Sequence, residues 1–419
     1  MIEKVLKFFE GYGFPGYFVP FVLLFIVIAF VTPWELYSGI ISGFLFDGPP
    51  FLVLLLATLI AEEWMGYVYI RNIRNTPYVL LEIRMPVEIT QSPVAMETAL
   101  NSFYSTGEPA TIQDRFLGGK LNPEFSLEIA SLEGAVHFYI RSQAKWRNII
   151  EAQMYAHYPG IEIVEVDDYV NRIQFDRSKM NLWGVENTLQ KPDPYPIKTY
   201  IDYGLEKETK EEFKIDPING ILEFFGSLGK GEYAFLQLII RSHEDVKGYQ
   251  KEGQELIQKF FDEAKGPDGK GFPVLSKDKS NAIEIITRNI AKKPFDAGLR
   301  ILYIADLEHY NRDRPGGLPT MMRSFESHES NGFKPVFFTY RYWLADPTGK
   351  KAEANKRQLF DSYRWRSYIS GPYAGRPIFV LSSEEIATVW HLPGQVAKTP
   401  GLSRITSRRG EAPSNLPQG

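Results

Sequence analysis

The chain has 419 residues, a formal net charge of −4 and no cysteine. That length holds two or three domains. The mild acidity excludes a wholesale polycation that coats nucleic acid, and the missing cysteines exclude a disulfide framework and thiolate chemistry.

The first elements in chain order are two apolar runs, Tyr17–Val31 and Phe51–Ile70, joined by a loop that contains Pro49 and Pro50. A bilayer core of roughly 30 Å needs about 20 helical residues, and both runs approach that with Trp34 and Trp64 at interfacial depth. The pattern predicts a transmembrane helical hairpin over 1–74. Lys4, Lys7, Arg71 and Arg74 flank the runs, and the loop carries Glu35 and Asp47 without Lys or Arg. By the positive-inside rule both ends then face the cytoplasm, giving a multi-pass inner-membrane protein with lipid as a partner and most of its mass cytoplasmic. Glu62 and Glu63 fall inside the second run. They read either as an intramembrane contact or ion path, or as a pair at headgroup depth if the helix tilts or starts near Leu45.

From Tyr78 the chain alternates strand and helix signals. YVLLEIRMPVEI is extended, and Ser92-Pro93 then caps and opens a helix with Met96, Ala99, Leu100 and Phe103 on one face. Phe125, Leu127 and Ile129 alternate, a turn falls near Glu133-Gly134, and Val136, Phe138 and Ile140 alternate again, which predicts a β-hairpin. A helix from Ser142 with Trp146, Ile149, Ile150 and Met154 stops at Pro159-Gly160 before the strand IEIVEV. The order β-α-β-β-α-β predicts a ferredoxin-like antiparallel sheet with helices on one face.

A second pass begins near Pro196. It predicts a strand IKTYIDY, a helix from Asp216-Pro217 with Ile221, Leu222 and Phe225, and a central strand EYAFLQLIIRS. LIIRS echoes the earlier FYIRS as a weak internal repeat. A Gly/Pro/Lys loop over Lys265–Lys279, a helix over Asn281–Lys293, a buried strand AGLRILYIA, a helix over Pro319–Glu329 and a strand KPVFFTYRYW complete the unit. The fold class expected is therefore α+β: a transmembrane hairpin followed by two ferredoxin-like units with mainly antiparallel sheets. The domains are the anchor 1–74, units at 75–190 and 191–345, a basic and aromatic insertion with a closing helix at 346–394, and an extended strap at 395–419.

Over Arg341–Arg376 the insertion mixes Lys350, Lys351, Lys356, Arg357, Arg364, Arg366 and Arg376 with Tyr363, Trp365, Tyr368 and Tyr373. Basic groups interleaved with aromatics fit a nucleic-acid backbone with stacked bases, an anionic lipid surface, or a solvated insertion whose rings pack inward. The first two readings assign Lys350, Lys351, Arg357, Arg364, Trp365 and Arg366 as binding residues, with DNA or lipid as partner. In the closing segment Ser382 or Ser383 caps a helix from Glu384 that ends at Leu392-Pro393-Gly394.

Catalytic equipment is sparse. Gly226-Ser-Leu-Gly-Lys230 and Gly118-Gly-Lys120 lack the glycine spacing and the hydroxyl of a P-loop. The six histidines show no paired metal spacing, and no GxSxG elbow occurs. His243 beside Glu244, and Asp306 near His309, can be drawn as acid-base pairs, although adjacent His and acid residues are common in polar helix starts and loops. No enzyme activity, metal or cofactor is expected.

Asp216–Arg241 (DPINGILEFFGSLGKGEYAFLQLIIR), Lys293–Ala305 (KPFDAGLRILYIA), Ser330–Pro335 (SNGFKP) and the closing EEIATVWHLPG and EAPSNLPQG resemble the membrane-anchored region preceding the motor in prokaryotic type IV secretion and conjugation ATPases of the FtsK/HerA class. In that family a PSNLP-like strap leads into a strand and a Walker A loop, and here the sequence stops at Gly419, before such a loop. The resemblance implies a non-catalytic inner-membrane scaffold subunit that forms homo-oligomers and docks a P-loop ATPase in trans on its cytoplasmic side. Glu385, Trp390, His391, Pro393, Asn415 and Pro417 would be its contact residues.

Overall fold

The computed structural model describes residues 48–86, 91–104, 111–206, 215–264, 275–341, 346–394 and 404–405. The first element is helix α1 (Gly48–Asn75). Among the described residues no helix is long and apolar enough to cross a membrane. This corrects the transmembrane hairpin, and with it the multi-pass inner-membrane localisation. Glu62 and Glu63 interrupt the apolar run of α1 as adjacent exposed charges, which a bilayer core disfavours. The last turns of α1 pack on protein instead. Val68 is buried, and Asn72 Nδ2 donates to the carbonyl of Gly119 at 2.9 Å. Gly119 sits at φ +61, where a Cβ would lie 2.4 Å from the Val68 carbonyl oxygen, so only glycine allows this approach. Tyr17–Val31 lies outside the described residues.

The first half of the body runs β1 (Tyr78–Pro86), α2 (Pro93–Tyr104), α3 (Ile112–Gly118), β2 (Glu124–Leu132), β3 (Ala135–Gln143), α4 (Arg147–His157) and β4 (Glu162–Val166). Its strands lie in the order β4-β1-β3-β2, every neighbour antiparallel, which is the ferredoxin-like arrangement. The β2–β3 turn uses Glu133 and Gly134, both at positive φ, as a two-residue hairpin of right-handed twist requires.

The second half runs β5 (Met180–Leu189), α5 (Asn219–Gly226), β6 (Glu232–Ser242), α6 (Val246–Glu263), α7 (Lys277–Ile290), β7 (Pro294–Asp306), α8 (Arg314–Met321) and β8 (Phe333–Phe338). Its order, β8-β5-β7-β6, repeats the first half, again antiparallel throughout. The two repeats join through their second strands: β2 pairs antiparallel with β6 from Glu124↔Arg241 to Leu132↔Tyr233. Then come α9 (Lys350–Trp365), β9 (Phe379–Ser382) beside the start of β7, α10 (Ser383–Val389), and β10 (Arg404–Ile405) parallel to the end of β1. All ten strands form one sheet.

Two sequence expectations move. The segment predicted as the strand Ile197–Tyr203 is a series of turns, because Asp202 accepts from the Thr199 amide at 2.8 Å and returns its own amide to the Thr199 carbonyl at 3.0 Å. Such local bonds compete with a ladder. The first strand of the second repeat is instead Met180–Leu189, which pairs only with β7 and β8. The seam between the units thus falls before residue 180 and not at 190.

Alternation along the strands builds two layers. Phe125, Leu127 and Ile129 of β2, and Leu236, Leu238 and Ile240 of β6, face a core shared with Met96, Leu100, Phe103, Ile150, Phe225, Ile386 and Trp390 from the helices. On the opposite face Ala130, Phe235, Leu302 and Ile304 meet Tyr169, Val170, Leu359, Phe360 and Tyr363. The insertion is therefore the cover of the second face, lying under the full width of the β2–β6 seam.

Candidate functional site

Between these second-face side chains runs a polar row. Glu82, Tyr139, Glu128, Gln237, Arg300 and Glu186 stand directly opposite one another in successive ladders from β1 to β5. The segment after α9 closes over it. Arg366 spans Glu128 and Asp168, its Nε donating to Glu128 Oε1 at 2.9 Å and its Nη2 to Asp168 Oδ1 at 3.0 Å. Ser126, Tyr169 and Gln237 also donate to the Glu128 carboxylate. Burial alone would raise Glu128, but the Arg366 guanidinium and these donors hold it down at about 2. Farther along, Arg300 Nε donates to Glu186 Oε1 at 2.9 Å and its Nη1 to Gln237 Oε1 at 2.7 Å, and Arg376 Nε reaches Glu186 Oε2 at 2.6 Å. The Tyr368 ring lies where a side chain on Gly298 would stand, and its hydroxyl donates to the Asn187 carbonyl at 3.0 Å. A charge set satisfied in this way fixes the cover on the sheet, its centre buried and its outer partners Asp168 and Arg376 partly exposed. Arg366, read from sequence as a nucleic-acid or lipid ligand, is corrected to a structural clamp.

The closing helix is equally interior. Glu385 completes a capping box with Ser382, accepts from the Ile197 amide at 2.9 Å, and is pushed by burial to about 8. Trp390 has no exposed surface and donates through Nε1 to the Glu128 carbonyl at 3.2 Å. His391 and Pro393 are buried as well. These four were expected to contact a partner; the core takes them instead, because α10 and the residues just after it pack against α2 and the sheet. Asn415 and Pro417 lie outside the described residues.

His391 places Nδ1 2.8 Å from the Ala387 carbonyl and Nε2 3.0 Å from Asp216 Oδ2. With an acceptor at each nitrogen, only the imidazolium donates twice. Burial lowers its pKa, yet Asp216 lifts the net value above the ordinary one; Asp216, raised by burial, is brought below its ordinary value by His391. The raised histidine contributes fully below about 6.5 and loses that contribution as pH climbs through the folded value. The lowered aspartate contributes above about 4 and loses it on acidification. The pair should therefore stabilise most between about pH 4 and 6.5. Asp216→Asn should cost about 2 kcal/mol at pH 5.5, narrowing toward pH 9. Urea midpoints of both proteins across that range check this, and a constant difference would contradict it. The comparison also cancels Glu385, whose loss of stability with rising pH is common to both.

A cleft of about 1160 Å³ lies between Val170–Arg177 and α9. Lys350, Arg357 and Arg364 line it, with Arg177, Phe175 and Tyr373 facing them. Lys351 is exposed outside the cleft. Trp365 is also outside it and stacks with Arg74, whose guanidinium carbon is 5.9 Å from the ring centre. The six insertion residues therefore divide: three share the cleft, and three do not. Sequence reasoning missed Phe175 and Arg177 because 168–179 has no apolar period, and nothing local signals that it faces α9.

Of the two acid-base pairings noted from sequence, one is re-partnered and the other persists as a loose surface contact. His243 bonds Asp296 across the strands at 2.6 Å, with Arg241 on the same carboxylate, while Glu244 is held by Arg115 and Asn122. His309 and Asp306 are 3.9 Å apart at the surface. Among the described residues no cluster of three His, Asp or Glu side chains is arranged to hold a metal ion.

Residues 77–404 match the family model described as Domain of unknown function (DUF8128), and the chain belongs to that family. No curated protein matches it.

Proposed function

We propose that this DUF8128 chain is a non-catalytic platform in a type IV secretion- or conjugation-like translocation machine, with the P-loop ATPase supplied in trans. One observation carries the reading: the row from Glu82 to Glu186 crosses the seam between the repeats and is clamped by Arg300 and Arg366. A paired, hydrogen-bonded charge row resists shear of one repeat against the other. That suits a body that must hold several partners in fixed register. A catalytic site would aim its charged groups at a substrate, whereas these groups are engaged with one another.

The platform assembles as a homo-oligomer, and its ATPase contact uses the strap after residue 394, since Glu385, Trp390, His391 and Pro393 are enclosed. Purified chain should run as a multimer by mass photometry and capture an FtsK/HerA-class ATPase, and deletion of 400–419 should abolish capture. Capture that survives the deletion removes the strap from the reading. Nucleotide hydrolysis by the purified chain alone would overturn the platform assignment.

A further inference from the structure

Lys350, Arg357 and Arg364 are spaced seven residues apart on α9. Each heptad returns within about 20° of the same helix face, so the three form one stripe with about 10 Å between neighbours and about 21 Å from end to end. None of them makes an ion pair among the described residues. Arg364 reaches only Asn171 Oδ1, at 3.5 Å. Of the three acids in the same cleft, one is paired with cations and two accept from neutral donors. Glu353 accepts from Lys356 at 2.8 Å and pairs with Arg177 at 3.1 Å. Asp176 accepts from the Ser178 amide and hydroxyl, and Asp361 takes the Tyr373 hydroxyl. Neutral donors leave Asp176 and Asp361 charged, so with Arg177 paired to Glu353 the lining keeps the three stripe cations against two aspartates, a local excess of positive charge.

The stripe is held rigidly. Leu359, Phe360 and Tyr363 bury the opposite side of α9 on the sheet. Phe175 and Tyr373 are half-buried in the cleft walls, each keeping part of its ring open. The same insertion spends Arg366 and Arg376 on buried carboxylates and leaves these three cations unspent.

We propose that this cleft binds single-stranded nucleic acid, with backbone phosphates along Lys350, Arg357 and Arg364 and bases against Phe175 and Tyr373. An acidic peptide would use the charges but gain little from the rings. A lipid surface needs cations on a plane, and these line a recess. The net charge of −4 supplies no general attraction, so salt-dependent binding reports the stripe itself.

The test is fluorescence anisotropy with a labelled oligo(dT) of about 15 nucleotides. Three phosphate contacts at about 0.7 each set a log–log salt slope near −2, a loss of roughly 20-fold between 50 and 200 mM salt. The triple variant Lys350→Glu, Arg357→Glu, Arg364→Glu should bind at least about 20-fold more weakly at 50 mM and lose that slope. Phe175→Ala with Tyr373→Ala should weaken binding while keeping the slope, and Lys351→Ala should change neither. All replaced cations are exposed, so thermal melts of the charge variants should match wild type, and the Phe175→Ala, Tyr373→Ala protein is compared below its own melting transition. No binding by the wild-type chain, an unchanged slope in the triple variant, or equal and equally stripe-dependent binding of duplex DNA or anionic phosphatidylserine vesicles would overturn the proposal. ATPase capture by the triple variant should be intact, which separates this test from that of the platform.

Discussion

Arg366→Ala should lower the unfolding free energy by about 3–5 kcal/mol, the usual result of stranding a buried charge by removing its partner. Glu128 would keep Ser126, Tyr169 and Gln237 as donors but lose the one cation bonded to it among the described residues. Three companions sharpen the expectation. Arg366→Met with Glu128→Leu should recover most of the loss, since a well-packed apolar pair is often as stable as the ion pair it replaces. Arg366→Gly should be less damaging than Arg366→Ala by about 1 kcal/mol, because residue 366 ends α9 at φ +50, where a Cβ is strained. The alanine deficit should also shrink on acidification. Glu128, held low in the folded protein, contributes above its ordinary carboxylate value and loses that contribution as pH falls toward about 2. Urea unfolding at pH 7 and pH 3 checks the set. A loss under about 1 kcal/mol at pH 7 would mean that Arg366 is no clamp.

Much of the body was legible because its periods are strong. β6 and β7 bury nearly every residue, which forces long apolar runs that no loop would carry. The hairpin announced itself through Glu133-Gly134, and α10 through a serine followed three residues later by glutamate. β5 was not legible: MNLWGVENTL holds Gly184 where Leu359 presses close, and Glu186 and Asn187 where Arg300 and Tyr368 reach. Glu186 is answered by a residue more than a hundred positions away, while Tyr368 takes the backbone carbonyl of Asn187, which any residue would offer. The same cause hid the division within the insertion. Arg364 and Arg366 are two apart and read alike, yet the left-handed turn at 366 sends one guanidinium under the helix and leaves the other in the cleft. The anchor was misread because the apolar letters of α1 were allowed to carry Glu62-Glu63 at intramembrane or headgroup depth, and nothing local signals the packing of Val68 against Gly119.

Trp390→Ala should destabilise the protein by about 3–5 kcal/mol, the range for emptying a fully enclosed large aromatic site. The ring meets Phe138 edge to face with centroids 5.8 Å apart, and no part of it reaches solvent. If Trp390 were a partner contact, its truncation would leave stability within about 0.5 kcal/mol and remove binding alone. If it is core, the midpoint falls and every binding function falls with the folded fraction. Trp390→Phe separates size from hydrogen bonding: it keeps most of the volume and drops the donor to the Glu128 carbonyl, for about 1 kcal/mol. Residue 128 also joins the two layers. Its carbonyl is capped from the helical face by Trp390, and its carboxylate is gripped from the other face by Arg366. Trp390→Ala and Arg366→Ala should therefore be non-additive by more than about 0.5 kcal/mol although they act on opposite sides of the sheet. A double-mutant cycle measured by urea unfolding, on a background that tolerates both losses, gives that coupling directly, and strict additivity would show that the two layers hold the β2–β6 seam independently.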